Sequence, residues 1–243
     1  MIERIMTLDT ETQLLSNQVE NGFDNIKAFG LSAMACYIVT PATYYSIAYS
    51  PVEPVNDHIN KYTPTDHHEI QTELDSADLV VTFNGERFDF TILESAGFDM
   101  TNARSRSYDI LAEFTKAAGH RISLADLAAN YGMMEKSLDG ADAPLLWQAA
   151  ERLRNHEYSK MLYPDSISHP AVNRIGNIIA DIIIEIITEY CIDDVKLTWE
   201  VFRRIWEACG FCQYTHKYKR TQRRVKLELP NELPHISHFP PEF

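Results

Sequence analysis

Asp9, Glu11, Asp89 and Asp194 are carboxylates on three well-separated stretches of a 243-residue chain, and Tyr190 stands four residues before the last of them. Hard oxygen ligands of this kind suit Mg²⁺ or Mn²⁺. Two such ions about 4 Å apart stabilise both the attacking and the leaving oxygen of an in-line displacement at phosphorus. The chemistry on offer is phosphodiester hydrolysis with two divalent metal ions as cofactors. Each piece is weak alone. Asp9-Thr10-Glu11 reads equally well as a solvated turn, and Asp89 as an acid complementing a helix dipole. Tyr190 and Asp194, at i and i+4, make an ordinary pair on one helical face. Their order and combination carry the argument.

Such groups need rigid carriers. Arg4 to Leu8 reads as a short buried strand ending at the Asp-Thr-Glu motif, so that Asp9 and Glu11, at i and i+2, reach one site. Ile26 to Ile38 and Tyr44 to Ser50 are β-rich runs separated by a turn at Thr40-Pro41-Ala42, and Pro51 to Pro64 reads as a surface loop. Thr65-Asp66 looks like a helix start, with an amphipathic stretch through Leu74. Asp78 to Phe83 is a buried strand, Asn84-Gly85 turns it, and Phe88 to Gly97 forms a helix with Asp89 in its first turn. From Ile110 the chain is mostly helical, with Ser123 as a cap, Pro144 in a first turn, an insertion at 156–170, and a long helix or helix pair from about Asn173 to Ala208. Strands first and helices afterwards predict an α/β domain, a mixed sheet flanked by helices, over residues 1–210. A basic, then Pro-rich tail follows over 211–243.

Composition sets the partners. A net charge of −13 argues against a nucleic-acid ligand, since phosphates want Lys and Arg. The charge is uneven, however: Lys217, Lys219, Arg220, Arg223, Arg224 and Lys226 form a run without an acid. Bound divalent cations also invert the local field at a scissile phosphate, so an acidic body is compatible with a nuclease. The apolar stretch Ile178 to Ile192 carries Asp181, Glu185 and Glu189 on one stripe, which predicts an amphipathic helix with that stripe in solvent rather than a membrane span. Met1-Ile2-Glu3-Arg4 has no apolar leader, and the four cysteines fit reduced thiols, so a cytoplasmic setting is expected.

Three segments resemble the exonuclease motifs of the DEDD superfamily, which has a ribonuclease H-like fold. They are Leu8-Asp9-Thr10-Glu11-Thr12, Val81-Thr82-Phe83-Asn84-Gly85 with Phe88-Asp89, and Tyr190-Cys191 with Asp194-Val195, Leu197 and Thr198. The Tyr-x₃-Asp spacing places the resemblance in the DEDDy branch, similar to the 3′–5′ exonuclease domain of family-B DNA polymerases and its standalone relatives. Arg121-Ile122-Ser123-Leu124 and Ala143 to Trp147 also resemble segments of the standalone proteins. The resemblance spans about residues 4 to 208 and implies a mixed five-stranded sheet. It also implies that Asp9 bridges two ions, that Glu11 and Asp194 complete the first ion's shell, that Asp89 holds the second, and that Tyr190 orients the attacking water. Thr10, Asn84 and Phe88 would lie near the substrate strand. Lys217, Lys219 and Arg220 are further candidates for substrate contact.

The implied substrate is single-stranded nucleic acid, DNA favoured over RNA, cut from its 3′ end, with any polymerase or other replication or repair protein acting in trans. Two other readings stay open: a 3′–5′ exoribonuclease of the same fold, and a non-catalytic binding module that uses the basic tail. The basic run itself could track phosphates or form a solvated edge hairpin. Cys209-x-x-Cys212 with His216 has zinc-like spacing, but two cysteines packing under a helix end account for it as well.

Overall fold

The computed structural model describes residues 2–52, 66–133, 140–157, 170–216, 220–231 and 233–239. Seven strands and seven helices are seen among them. Strands β1 (Ile5–Thr12), β2 (Leu31–Val39), β3 (Tyr44–Tyr49), β4 (Leu79–Thr82) and β5 (Ser107–Asp109) make one sheet in the order β3-β2-β1-β4-β5. The β3, β2 and β1 strands pair antiparallel, while β4 and β5 run parallel to β1. This is the expected mixed five-stranded α/β sheet flanked by helices.

The strand period of two divides β1 between two layers. Ile5, with Tyr37 and Val81, faces a core completed by α4 (Ile110–Ala118), α5 (Leu124–Ala129) and the long α7 (Pro170–Glu207). Met6 and Leu8 face the opposite core, with α1 (His67–Ser76), α2 (Asp89–Ser95) and α3 (Thr101–Ser105). Helix α6 (Asp142–Arg154) lies along α7 and buries Trp147 against Ala33 and Ile187. Thr7 ties β1 to α7 directly, its hydroxyl donating to the Val195 carbonyl at 2.8 Å.

Several expectations need correction. Strand β1 does not stop at the Asp-Thr-Glu motif but runs through it to Thr12. Ile26–Phe29 is a 3₁₀ turn instead of strand, because Gly30, at a φ of 68°, breaks the extended run before Leu31. The acidic stripe on α7 is not solvated throughout: Asp181 is buried and accepts a 2.6 Å hydrogen bond from Arg154 of α6. Helix α3 and the short edge strand β5 are too short for a hydrophobic period to announce them.

Residues 211–243 include an antiparallel hairpin of β6 (Phe211–Thr215) and β7 (Gln222–Lys226). Cys212, Tyr214, Leu227 and Phe239 are buried in the same core as α4 and α7. Gly210 makes this return possible, since a Cβ there would sit 2.6 Å from the Leu227 carbonyl oxygen. The expected loop at Pro51–Pro64 lies outside the described residues from 53 onward, as does 158–169 of the expected insertion.

Candidate active site

The C-terminal end of β1 is where both layers can reach one strand. Because β1 stays extended through the motif, Asp9 and Glu11 share the face covered by α7. Glu11 is also the last residue before the ladder with β2 shifts register, pairing with Ala33 while Thr12 pairs with Leu31. Such a bulge ends regular pairing and re-aims the strand at a site.

On the α7 face, oxygen atoms of Asp9, Glu11 and Asp194 lie within 4.8 Å of one another. Tyr190, one turn before Asp194 on α7, is buried and hydrogen-bonded to it. Burial pushes the Tyr190 hydroxyl far above its ordinary range, and the charges of Asp194, Glu11 and Asp9 push in the same direction. Tyr190 is therefore a neutral hydrogen-bonding group and not a base at neutral pH.

Asp89 arrives from the opposite face of β1. It begins α2, and its Oδ1 accepts from the Thr10 backbone N–H at 2.9 Å and from the Thr10 hydroxyl at 2.6 Å. Burial nonetheless pushes its pKa up to about 7, with the two Thr10 bonds pulling it down and the charge of Asp109 adding to the rise. All four carboxylates act on Cys191, next to Tyr190 on α7. Desolvation first, then their charges, raise its thiol well above the usual range, and its Sγ donates to the Asp9 carbonyl at 3.4 Å. Two faces of one strand thus deliver four acids to one place, with β1 as the partition.

The turn before Asp89 is fixed by close approach. Asn84 sits in the left-handed region at a φ of 73°, which Asn tolerates better than most residues. At Gly85 a Cβ would fall 2.5 Å from Cβ of Thr82, so the chain can pass only without a side chain. Asp109, at the end of β5, holds this turn from below. Its carboxylate accepts from the backbone N–H groups of Asn84 at 3.0 Å and Glu86 at 3.3 Å, and from Ala112 at 3.1 Å as the cap of α4.

Asp9, Thr10, Glu11, Asn84, Phe88, Asp89, Tyr190 and Asp194 all line one cavity of about 340 Å³. The structure thus gathers eight of the eleven expected residues. Thr10 spends its donors on Asp89. Arg220 does not line this cavity and is exposed beside the hairpin, and Lys217 and Lys219 lie outside the described residues. Cys209, Cys212 and His216 belong to no cluster of metal-ligating groups among the described residues. Sequence reasoning missed Asp109, although an Asp just before the apolar Ile110-Leu111 is a helix-start signal. It also missed an aromatic wall: exposed Phe23 stacks on Phe29 at 5.4 Å, and Phe29 meets Phe88 edge-on at 5.7 Å.

A divalent ion fits this donor set. Three carboxylates converge on one point, and among the described residues nothing cationic lines the cavity to offset them. Asp9, Glu11 and Asp194 would hold it, and charge stabilisation at phosphorus with activation of water is what it would supply.

A mixed sheet with an acidic cluster at the end of its central strand suits metal-assisted hydrolysis of a phosphodiester. Residues 23–206 match the RNase_H_2 family of the RNase H superfamily, and the chain belongs to that superfamily. The match begins after Asp9 and Glu11, which enter the site through the position of β1. Among curated proteins, none matches the sequence. Family and acidic cluster together point to a nuclease. No described helix is long and apolar enough to cross a membrane.

Proposed function

We propose that the protein is a DEDDy-type 3′–5′ exonuclease that removes nucleoside 5′-monophosphates from single-stranded DNA with two Mg²⁺ or Mn²⁺ ions. The observation that carries this reading is the convergence of Asp9, Glu11 and Asp194 within 4.8 Å, in a cavity that Asp89 and Tyr190 also line. Asp9, Glu11 and Asp194 would hold one ion, and Asp89, across β1, would serve a second. Tyr190, kept protonated by burial and by its acidic neighbours, can donate a hydrogen bond or accept one from a water without itself losing its proton. Thr10 keeps the Asp89 carboxylate turned toward the cavity, and Asp109 keeps the Asn84-Gly85 turn in place beneath it.

The aromatic wall supports a single-stranded substrate. Phe23 is exposed at the cavity, stacked on buried Phe29 and beside Phe88, and every base has a face that stacks on such a ring. A duplex end would have to unpair to use it. Cleavage in trans to a polymerase, and a cytoplasmic setting, belong to the same proposal.

The test is a single-stranded DNA oligonucleotide labelled at its 5′ end, incubated with Mn²⁺ or Mg²⁺ and compared with the matching RNA. The expected outcome is a ladder shortening from the 3′ end, lost in Asp194→Ala. Shortening of the RNA alone would make the protein an exoribonuclease. Intact oligonucleotides of both kinds, despite binding, would identify a non-catalytic module.

A further inference from the structure

A second cavity, of about 1220 Å³ against about 340 Å³ for the first, opens between the turn at 118–123, α5 and the turn end of the β6–β7 hairpin. We propose that this groove binds single-stranded nucleic acid upstream of the 3′ end, with Arg121 at its junction with the carboxylate cavity and Arg224 and Lys226 extending it along the hairpin. Its placement upstream of the 3′ end rests on the nuclease reading; its capacity to bind a strand does not.

The junction is a direct contact. Arg121 lines the groove and Asn84 lines the carboxylate cavity, and the Arg121 guanidinium donates to the Asn84 side-chain oxygen at 2.9 Å. Arg121 is exposed, and a guanidinium has five N–H donors in a fork that suits phosphate. A strand leaving one cavity meets this cation before it enters the other.

The hairpin register continues the path. Thr215 pairs with Gln222, Gln213 with Arg224, and Phe211 with Lys226. Alternate residues of a strand share a face, and Cys212 and Tyr214 are buried, so these three pairs share the outer face. Thr215 and Gln222 line the groove, and the next two rungs carry the cations. The Arg224 guanidinium lies 3.9 Å from the centre of the Phe211 ring and the Lys226 ammonium 5.5 Å from it, so the ring holds both charges on that face. From Phe211 to Leu227 the chain has no acid, in a protein whose net charge is −13.

The one acid lining the groove among the described residues, Asp126, accepts from the hydroxyl of Ser123, the cap of its own helix, at 2.7 Å. The wall also carries imidazole rings, His120 and His216, with centres 4.9 Å apart, as a surface for base stacking. A phosphodiester backbone with exposed bases matches this mix of cations and rings.

The test separates binding from cleavage. Fluorescence anisotropy of 5′-labelled oligonucleotides of about 4 to about 12 nucleotides, DNA and RNA in parallel, is read on the full chain in chelator as salt is varied. Affinity is expected to rise with length. In Arg224→Gln/Lys226→Gln the salt slope should fall by about 1.4, at about 0.7 per lost phosphate contact on a single strand, and Arg121→Gln should lower it by about 0.7. The control Arg152→Gln/Arg174→Gln makes the same charge change on α6 and α7, at residues neither in the groove nor on the hairpin, and should leave the slope as it was. An unchanged slope and length dependence in the hairpin variant, or an equal loss in the control, would overturn the proposal. Cleavage is then read separately with Mn²⁺. Its absence overturns the nuclease reading alone, since the anisotropy series decides the groove by itself.

Discussion

Thr10→Val removes one hydroxyl from the site while keeping the β-branched shape that suits β1. The backbone N–H bond to Asp89 at 2.9 Å survives, and the 2.6 Å hydroxyl bond is lost. A buried hydrogen bond to a charged acceptor is worth about 1.5–3 kcal/mol, which at about 1.4 kcal/mol per decade is roughly a 10- to 100-fold effect. That agrees with the cost of removing a group that orients a metal ligand, about 10- to 100-fold in affinity. Losing a bond that favours the ionised form must also push Asp89 further above its already raised position of about 7. Titration with Mn²⁺ at pH 7 should therefore show binding weakened by about one to two decades, with part of the loss recovered at alkaline pH and most of it restored in Thr10→Ser. Wild-type affinity in Thr10→Val, in a protein whose Asp194→Ala variant no longer binds, would refute the reasoning. Asp89 would then not be a ligand, or would not need Thr10 to point it.

Other outcomes follow from the same geometry. Tyr190→Phe should lower kcat by roughly 10- to 100-fold, the cost of one buried hydrogen bond, without removing any limb of the pH–rate profile; a basic limb that disappears in the variant would show that Tyr190 ionises. Between its ordinary value of 3.8 and about 7 the folded, ion-free protein holds a proton on Asp89 that the unfolded chain releases. Stability should therefore fall as pH rises through that window and level off above it, and urea melts of Asp89→Asn should lack this slope. Arg154→Met removes the arginine partner of Asp181, whose side chain is 1% exposed. It should cost about 3–5 kcal/mol in urea denaturation, and a loss below about 1 kcal/mol would put the pair with ordinary surface bridges.

The five groups assigned to the chemistry were legible because their spacing obeys local rules. Asp9 and Glu11 follow the strand period, Tyr190 and Asp194 the helix turn, and Asp89 the start of a helix after a turn. What joins them was not legible. That Asp89 reaches the site from the opposite face of β1 depends on a hydrogen bond to Thr10, and no pattern in the sequence records a contact across 79 positions. Phe29 sits in the run Ile26 to Ile38, whose β-like composition is overridden at Gly30 by a left-handed backbone, and Phe23 lies in a separate short turn before it. Asp181 was misread because a charged stripe on a helix usually faces water; only the packing of α6 on α7 supplies the arginine that lets it be buried. The hairpin was one of two readings of the basic run, and its burial against α4 and α7 rests on apolar residues scattered among the cations.

The bond from Thr7 to the Val195 carbonyl spans 188 positions of the chain, and the site beside it draws on nearly the same span. A fragment that stops short of the part of α7 carrying Tyr190 and Asp194 cannot assemble it. A shorter chain holds Asp9 and Glu11 without the third acid that would share an ion with them. The acidic cluster is complete only once α7 packs on β1.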